Sequence, residues 1–205
     1  MALTCPINFD VDRLRRDVGA EYTRVVNDPN GDFHFHRGLD YAVERLHYDR
    51  EALQALPLGA VEKFAGVGNP LRIGDIAAGE TVLDIGCGAG TDLLLAAQQV
   101  GPSGRAIGVD MTAAMREAAT ENAALAGLAD VVEIRDGLSE ALPVADQSVD
   151  VIISNGVLNL ATDKALAFAE VARVLRPGGR LLLADVTLDR ELSEGARADV
   201  DLWAA

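Results

Sequence analysis

From about residue 75 onward, short apolar runs alternate with longer Ala- and Leu-rich stretches. The runs at Thr81–Ile85, Arg105–Val109, Val131–Arg135, Val149–Ser154 and Arg180–Asp185 hardly alternate between polar and apolar positions. Strands covered on both faces read this way. Between them, Thr91–Val100, Thr112–Ala126 and Asp163–Leu175 have helical composition. Thr112 is placed to cap its helix, and Pro177-Gly178-Gly179 to end the third helix and turn the chain into the last strand. The alternation predicts an α/β fold with a doubly wound, mainly parallel Rossmann-like sheet.

Residues 1–75 differ. They hold all three histidines, most of the aromatic residues, and turn signals at 27–32 (NDPNGD) and 66–70 (GVGNP). Asp10–Val26 and Asp40–Leu56 read as helical. This part is expected to form an N-terminal helical extension, either a lid over a ligand site or a segment that only completes the core. The domain proper is expected over 76–190, with the start of a further helix at 191–205. No internal repeat or low-complexity tract is seen.

Composition narrows the function. Apolar residues make up 49% of the 205 residues but aromatics only 4%, so Ala, Val, Leu and Ile must fill the core. The net charge of −14 repels phosphate backbones and anionic lipid, which disfavours nucleic acid and membrane and leaves a small molecule as partner. Cys5 and Cys87 make neither a disulfide framework nor a metal knuckle. No segment has the length of a membrane span or the character of a signal peptide, and a cytoplasmic setting is expected.

The chemistry concentrates in Val82-Leu83-Asp84-Ile85-Gly86-Cys87-Gly88-Ala89-Gly90, where the first strand ends and a helix begins. Ligands of open α/β sheets bind at such carboxyl ends. A dinucleotide fingerprint needs a third glycine where Thr91 stands. Asp84, just before the turn, suits a cation better than a pyrophosphate. S-adenosylmethionine carries an ammonium and a sulfonium and no phosphate, so the electrostatics favour this methyl donor over a dinucleotide. Asp110 falls 24 positions after Gly86, near the offset at which a carboxylate meets ribose hydroxyls. Met111, with the turn Asp136-Gly137-Leu138, is expected to complete an adenine pocket, through either the Asp136 carboxylate or the backbone of Gly137 and Leu138. Cofactor contacts are therefore expected from Asp84, Gly86, Cys87, Gly88, Gly90, Asp110, Met111, Gly137, Leu138 and Asn155. Cys87 reads as a small filler and Met115 as core.

These elements resemble the class I S-adenosylmethionine-dependent methyltransferases. The resemblance rests on VLDIGCGAG (82–90), GVDMTAAM (108–115), EALPVADQSVDVIISNGVLNL (140–160) and RVLRPGGRLLLADV (173–186), covering roughly 75–190. GNPL near residue 70, the DMT of 110–112 and ISNGVLNL place it near the arsenite methyltransferases. That branch binds As(III) with cysteines in the GNP and ISN segments; here the positions are Val67 and Gly156. Soft thiolates are what a thiophilic metalloid needs, so arsenite is not expected as substrate. The family's sheet continues past the fifth strand into an antiparallel hairpin. Five strands are counted here, and the chain stops at Leu202-Trp203-Ala204-Ala205 in a helical stretch, so the last two strands are expected to be absent from this sequence. The uncovered fifth-strand edge would then favour homo-oligomers.

The resemblance implies methyl transfer by in-line displacement to a small-molecule acceptor, with S-adenosylhomocysteine as product. Asn155, in the loop after the fourth strand, would contact the methionine moiety. That loop lacks the Pro-Pro-aromatic pattern of amino-group methyltransferases. Within Phe33-His34-Phe35-His36-Arg37, His34 and His36 are catalytic candidates, because imidazole titrates near neutrality. Surface hydrogen bonding and metal ligation are the competing readings, the latter short of a third ligand. Tyr22 and Tyr41 are further lid candidates. An arsenite methyltransferase homologue or a non-catalytic S-adenosylmethionine-binding module are the alternative functions.

Overall fold

A computed structural model describes residues 10–28 and 31–187, with isolated positions 193, 195 and 199. Five strands form one all-parallel sheet: β1 (Thr81–Ile85), β2 (Arg105–Asp110), β3 (Val132–Asp136), β4 (Val149–Asn155) and β5 (Leu175–Ala184), in the order β3-β2-β1-β4-β5. The expected architecture is present. Val82, Val151 and Ile153 are buried on one face beneath Ala96 and Val100. Leu83, Ile85 and Ile152 are buried on the other beneath Ala167, Val171 and Val174. Two covered faces explain why the strands read as unbroken apolar runs.

The covering helices are α5 (Thr91–Val100), α6 (Ala113–Leu125) and α7 (Lys164–Val174). Asp163 caps α7, its carboxylate accepting from the Leu166 amide at 3.0 Å. Thr112 occupies the cap position of α6 without a side-chain cap bond. There the carboxylate of Asp110 takes the Thr112 amide at 2.8 Å.

Two expectations need correction. Pro177-Gly178-Gly179 does not separate helix from strand. β5 starts at Leu175 directly after α7, and the triplet lies in a register shift between the Val149–Leu175 and Val151–Arg180 pairs. A bulge absorbs residues that cannot keep the ladder. The helical stretch at 40–56 is also broken. It becomes α2 (Gly38–Glu44) and α3 (Arg50–Gln54), with α4 (Leu58–Val61) following Pro57. His47 at φ 60° turns the chain between α2 and α3, where Asp49 caps the new helix.

Ahead of these, α1 (Val11–Asn27) is capped by Asp10, which accepts from the Arg13 amide. Its apolar stripe, Leu14, Val18 and Val25, faces inward. Apart from those isolated positions, the helix expected at 191–205 lies outside the described residues, as does Cys5.

Candidate active site

Strand order reverses between β1 and β4, so the loops leaving their carboxyl ends diverge and open a cleft, as open α/β sheets do at a switch point. The turn after β1 forms its floor. Gly86 has φ +72°, and a Cβ there would run into the Val157 side chain from the loop after β4, so only glycine fits. The lining includes Asp84, Gly86, Cys87, Gly88, Asp110, Met111, Gly137, Leu138 and Asn155. Nine of the ten expected cofactor positions thus share one cavity. Gly90 does not line it. It precedes α5 at φ +97°, and a side chain there would meet Ala119 of α6.

Asp110 is held rigidly. One carboxylate oxygen accepts from the Gly88 amide at 2.9 Å and the other from the Thr112 amide at 2.8 Å. Each oxygen keeps a lone pair for a further donor such as a ribose hydroxyl. Met111 packs with Leu14, Val18 and Leu160. Asp136 is turned away, exposed and paired with Arg116 at 2.9 Å, so an adenine amine would have to meet the backbone of Gly137 and Leu138 instead. Met115 is core, as expected, yet also reaches the cleft wall. Cys87 is buried and its thiol is pushed well up by burial, then by Asp84 and Asp110, which leaves it an inert filler.

Asp92 was hidden from sequence reading because an acid in a helix's first turn normally serves the helix dipole. Here it lines the cleft at 6% exposure, beside Asp84 at 3%. One Asp92 oxygen accepts from the Tyr48 hydroxyl at 2.6 Å and the other from the Asn155 amide at 2.9 Å. The same Asn155 side chain accepts from the Val67 and Gly68 amides at 2.8 and 3.0 Å and donates to the Gly68 carbonyl at 2.8 Å. Asn155 thus ties the Gly66–Asn69 loop to the end of β4 through its side chain. Burial, then the charges of Asp92 and Asp110, push the Asp84 carboxyl well above the ordinary range. Asp92 and Asp110 are also raised by burial, against the hydrogen bonds they accept. Two buried carboxylates, Asp84 and Asp92, and the half-buried Asp110, all with raised pKa values around one turn, form a site that gains from a cation.

The N-terminal segment adds to the lining. Leu14, Arg15, Val18 and Tyr22 of α1 line the cleft, as do residues 63–66. The Tyr22 hydroxyl is pushed up to about 12 by burial, then by Asp110 and Glu21. At the far rim Arg15 approaches Glu140 at 3.8 Å. Burial disfavours the Glu140 charge, but bonds from Ser139 and Thr162 hold its carboxyl below the usual range.

His34 and His36, the catalytic candidates, do not line the cleft. His34 is exposed, edge-on to Phe35 and 3.9 Å from Glu21; His36 stacks at a tilt on Tyr41. Phe33 and Phe35 anchor the segment against Val25 and Ala118, which turns the histidines to solvent. Tyr41 is likewise outside the cleft lining. Among the described residues no group of three His, Cys, Asp or Glu is placed to hold a metal ion.

Residues 76–204 match the methyltransferase domain family. The chain belongs to that family. As a methyltransferase domain of the class I, S-adenosylmethionine-dependent type, it stands near the arsenite methyltransferases. It is 48% identical over 158 residues to an arsenite methyltransferase of Halobacterium salinarum, covering 77% of this chain and 40% of that protein. Against the mouse arsenite methyltransferase it is 31% identical over 202 residues, covering 95% of this chain and 53% of the relative. An arsenic(III) S-adenosylmethionine methyltransferase of Chlamydomonas reinhardtii superposes with a TM-score of 0.67 at 39% identity, over 75% of this chain and 53% of that one. The methyltransferase domain described here therefore spans about half the length of these relatives or less.

The Val67 and Gly156 positions are neighbours in space. A Cβ built on Gly156 would lie 3.7 Å from the Val67 Cβ, close enough for two thiols to share one soft atom. In this chain the pair is a valine against a glycine.

Proposed function

We propose that this chain transfers a methyl group from S-adenosylmethionine to a small-molecule acceptor that is not held by paired thiolates. One observation carries the reading: Asp84, Asp92 and Asp110 are all buried or nearly so around a single glycine turn at the switch point. A phosphate-rich dinucleotide would meet three carboxylates there, whereas a phosphate-free cation relieves their desolvation. S-adenosylmethionine supplies an activated methyl group on a sulfur that is itself a good leaving group.

The residues then have separate tasks. Asp84 and Asp92 would hold the amino-acid ammonium, Asp110 the ribose hydroxyls, and Met111 with the Gly137-Leu138 backbone the adenine. Leu14, Val18 and Tyr22 exclude water from above. Asn155 holds the Gly66–Asn69 loop, and with it Val67, beside the reacting end. Positioning of this kind can lower a barrier by about 7–11 kcal/mol when the reacting atoms are held near attack distance. The valine and glycine at the family's thiol positions support an acceptor other than arsenite.

The charge of −14 favours a small molecule over nucleic acid. The paucity of cysteine fits a cytoplasmic setting. Among the described residues no helix is long and apolar enough to cross a membrane. The division into an N-terminal helical extension over 1–75 and a catalytic domain over 76–190 belongs to the same proposal, as does pairing between copies along β5, which is an edge strand of the sheet among the described residues. The deciding experiment incubates the protein with S-adenosylmethionine and a panel of oxygen, nitrogen, carbon, sulfur and arsenic acceptors. Formation of S-adenosylhomocysteine that depends on a non-arsenic acceptor supports the reading. Binding without turnover on any acceptor would favour a non-catalytic binding module, and methylarsenical products would overturn the exclusion of arsenite.

A further inference from the structure

Away from the donor cleft, a second cavity of about 550 Å³ lies between the stretch joining α3 to α4 and one stripe of α6. That volume is ample for a small molecule. Leu56, Pro57, Leu58, Ala118 and Leu125 give it apolar walls. Leu58 and Leu125 are 68% and 69% exposed, the two highest values for large apolar side chains among the described residues. Both border this one cavity. Exposed apolar side chains scattered singly need no explanation, but two grouped around a concavity mark an interaction site.

The polar end is built around Gly59, which has no side chain to keep two groups apart. From the place a Cβ would occupy, Oδ1 of Asn122 is 2.9 Å and the Lys63 ammonium 3.4 Å away. The ammonium donates to the Gly59 carbonyl at 3.2 Å and pairs with no acid among the described residues. It carries three donors, so two hydrogens remain. Asn122 is buried and donates to the Ala89 carbonyl at 2.9 Å, while its Oδ1 accepts no hydrogen bond among the described residues. Donors and an acceptor thus stand side by side at the head of the cavity. Glu121, exposed on the same wall, disfavours an anion there. Charge complementarity selects an uncharged head that both accepts and donates, as a hydroxyl does.

We infer that this cavity is a second ligand site, separate from the donor cleft, and that it takes an uncharged apolar ring bearing a hydroxyl, a phenol by class. The hydroxyl oxygen accepts from Lys63 and its hydrogen goes to Oδ1 of Asn122, while the ring lies between Leu58 and Leu125. Asn122 joins the two sites, because its amide nitrogen holds the glycine turn at Ala89.

Lys63 lines both cavities, so the test has to locate the ligand as well as detect it. The probe is p-cresol, titrated into protein with isotope-labelled leucine and methionine methyl groups and followed by NMR, with and without millimolar S-adenosylhomocysteine. Saturable shifts at Leu58 and Leu125, none at Met111, and no competition from S-adenosylhomocysteine are expected. Toluene, which lacks the hydroxyl, and p-toluate, which has a carboxylate in its place, should each bind about tenfold more weakly. Lys63→Met should bring p-cresol down to the affinity of toluene and leave toluene unchanged. Leu125→Glu, at an exposed position, should weaken both. Equal affinity for p-cresol and toluene, shifts confined to Met111, or displacement by S-adenosylhomocysteine overturns the assignment. Leucine shifts that follow protein concentration instead of p-cresol would make this face a contact between copies and overturn it too. Failure to bind S-adenosylhomocysteine would remove the donor reading alone.

Discussion

At the residue scale the cleft is governed by where charge is tolerated. Asp84, Asp92 and Asp110 hold their protons more tightly than exposed carboxylates, chiefly because burial penalises the ionised form. An ammonium bound beside them favours ionisation, so binding should release protons. Affinity for S-adenosylhomocysteine should therefore rise as pH climbs from the ordinary carboxylate range, about 4, towards neutrality. Calorimetry in two buffers of different ionisation enthalpy counts the protons, and uptake in place of release would contradict the arrangement. For the unliganded fold the sign is opposite. The native state binds protons more tightly than the unfolded chain, so these groups contribute stability that is complete below the ordinary range. It is lost as pH rises through their raised values. Val67 and Gly156 carry a second prediction at this scale. Val67→Cys/Gly156→Cys should gain arsenite binding, read as a mass increase by native mass spectrometry, while the unmodified chain shows none. Gly156 has φ +73°, so the variant should also lose roughly 1 kcal/mol or more to backbone strain.

Among the elements, α1 carries the clearest prediction. It contributes Leu14, Val18 and Tyr22 to the cleft but no strand contact to the core clusters of the sheet. Val18→Asp should weaken S-adenosylhomocysteine by about tenfold with little change in melting temperature. A large fall in melting temperature would mean that α1 is part of the core and not a roof. The sequence made β1 and the other strands legible because both faces of a parallel sheet demand unbroken apolar runs. It hid the break at His47, since nothing in local composition marks a histidine that adopts positive φ. It also hid the bulge at 177–179, because Pro-Gly-Gly reads equally as a turn or as an interruption of a strand. Asp92 was unreadable for a different reason: its role depends on Tyr48 and Asn155, 44 and 63 positions away. His34 and His36 stand outside the cleft lining for a reason of direction. Phe33 and Phe35 point inward against Val25 and Ala118, and the alternation that buries them exposes their neighbours.

For the whole molecule, sheet order and loop chemistry converge on one end. The reversal between β1 and β4 supplies the opening, the glycine turn its floor, the acids around that turn their negative charge, and α1 part of its lining. The net charge of −14 acts in the same direction, drawing a cationic nucleoside and repelling a dinucleotide. The most direct test is a pair of calorimetric titrations of the unmodified protein, one with S-adenosylmethionine and one with NAD. Saturable binding of the methyl donor, with no heat from NAD at millimolar concentration, is the predicted result. Saturable binding of NAD with no response to S-adenosylmethionine would contradict the account.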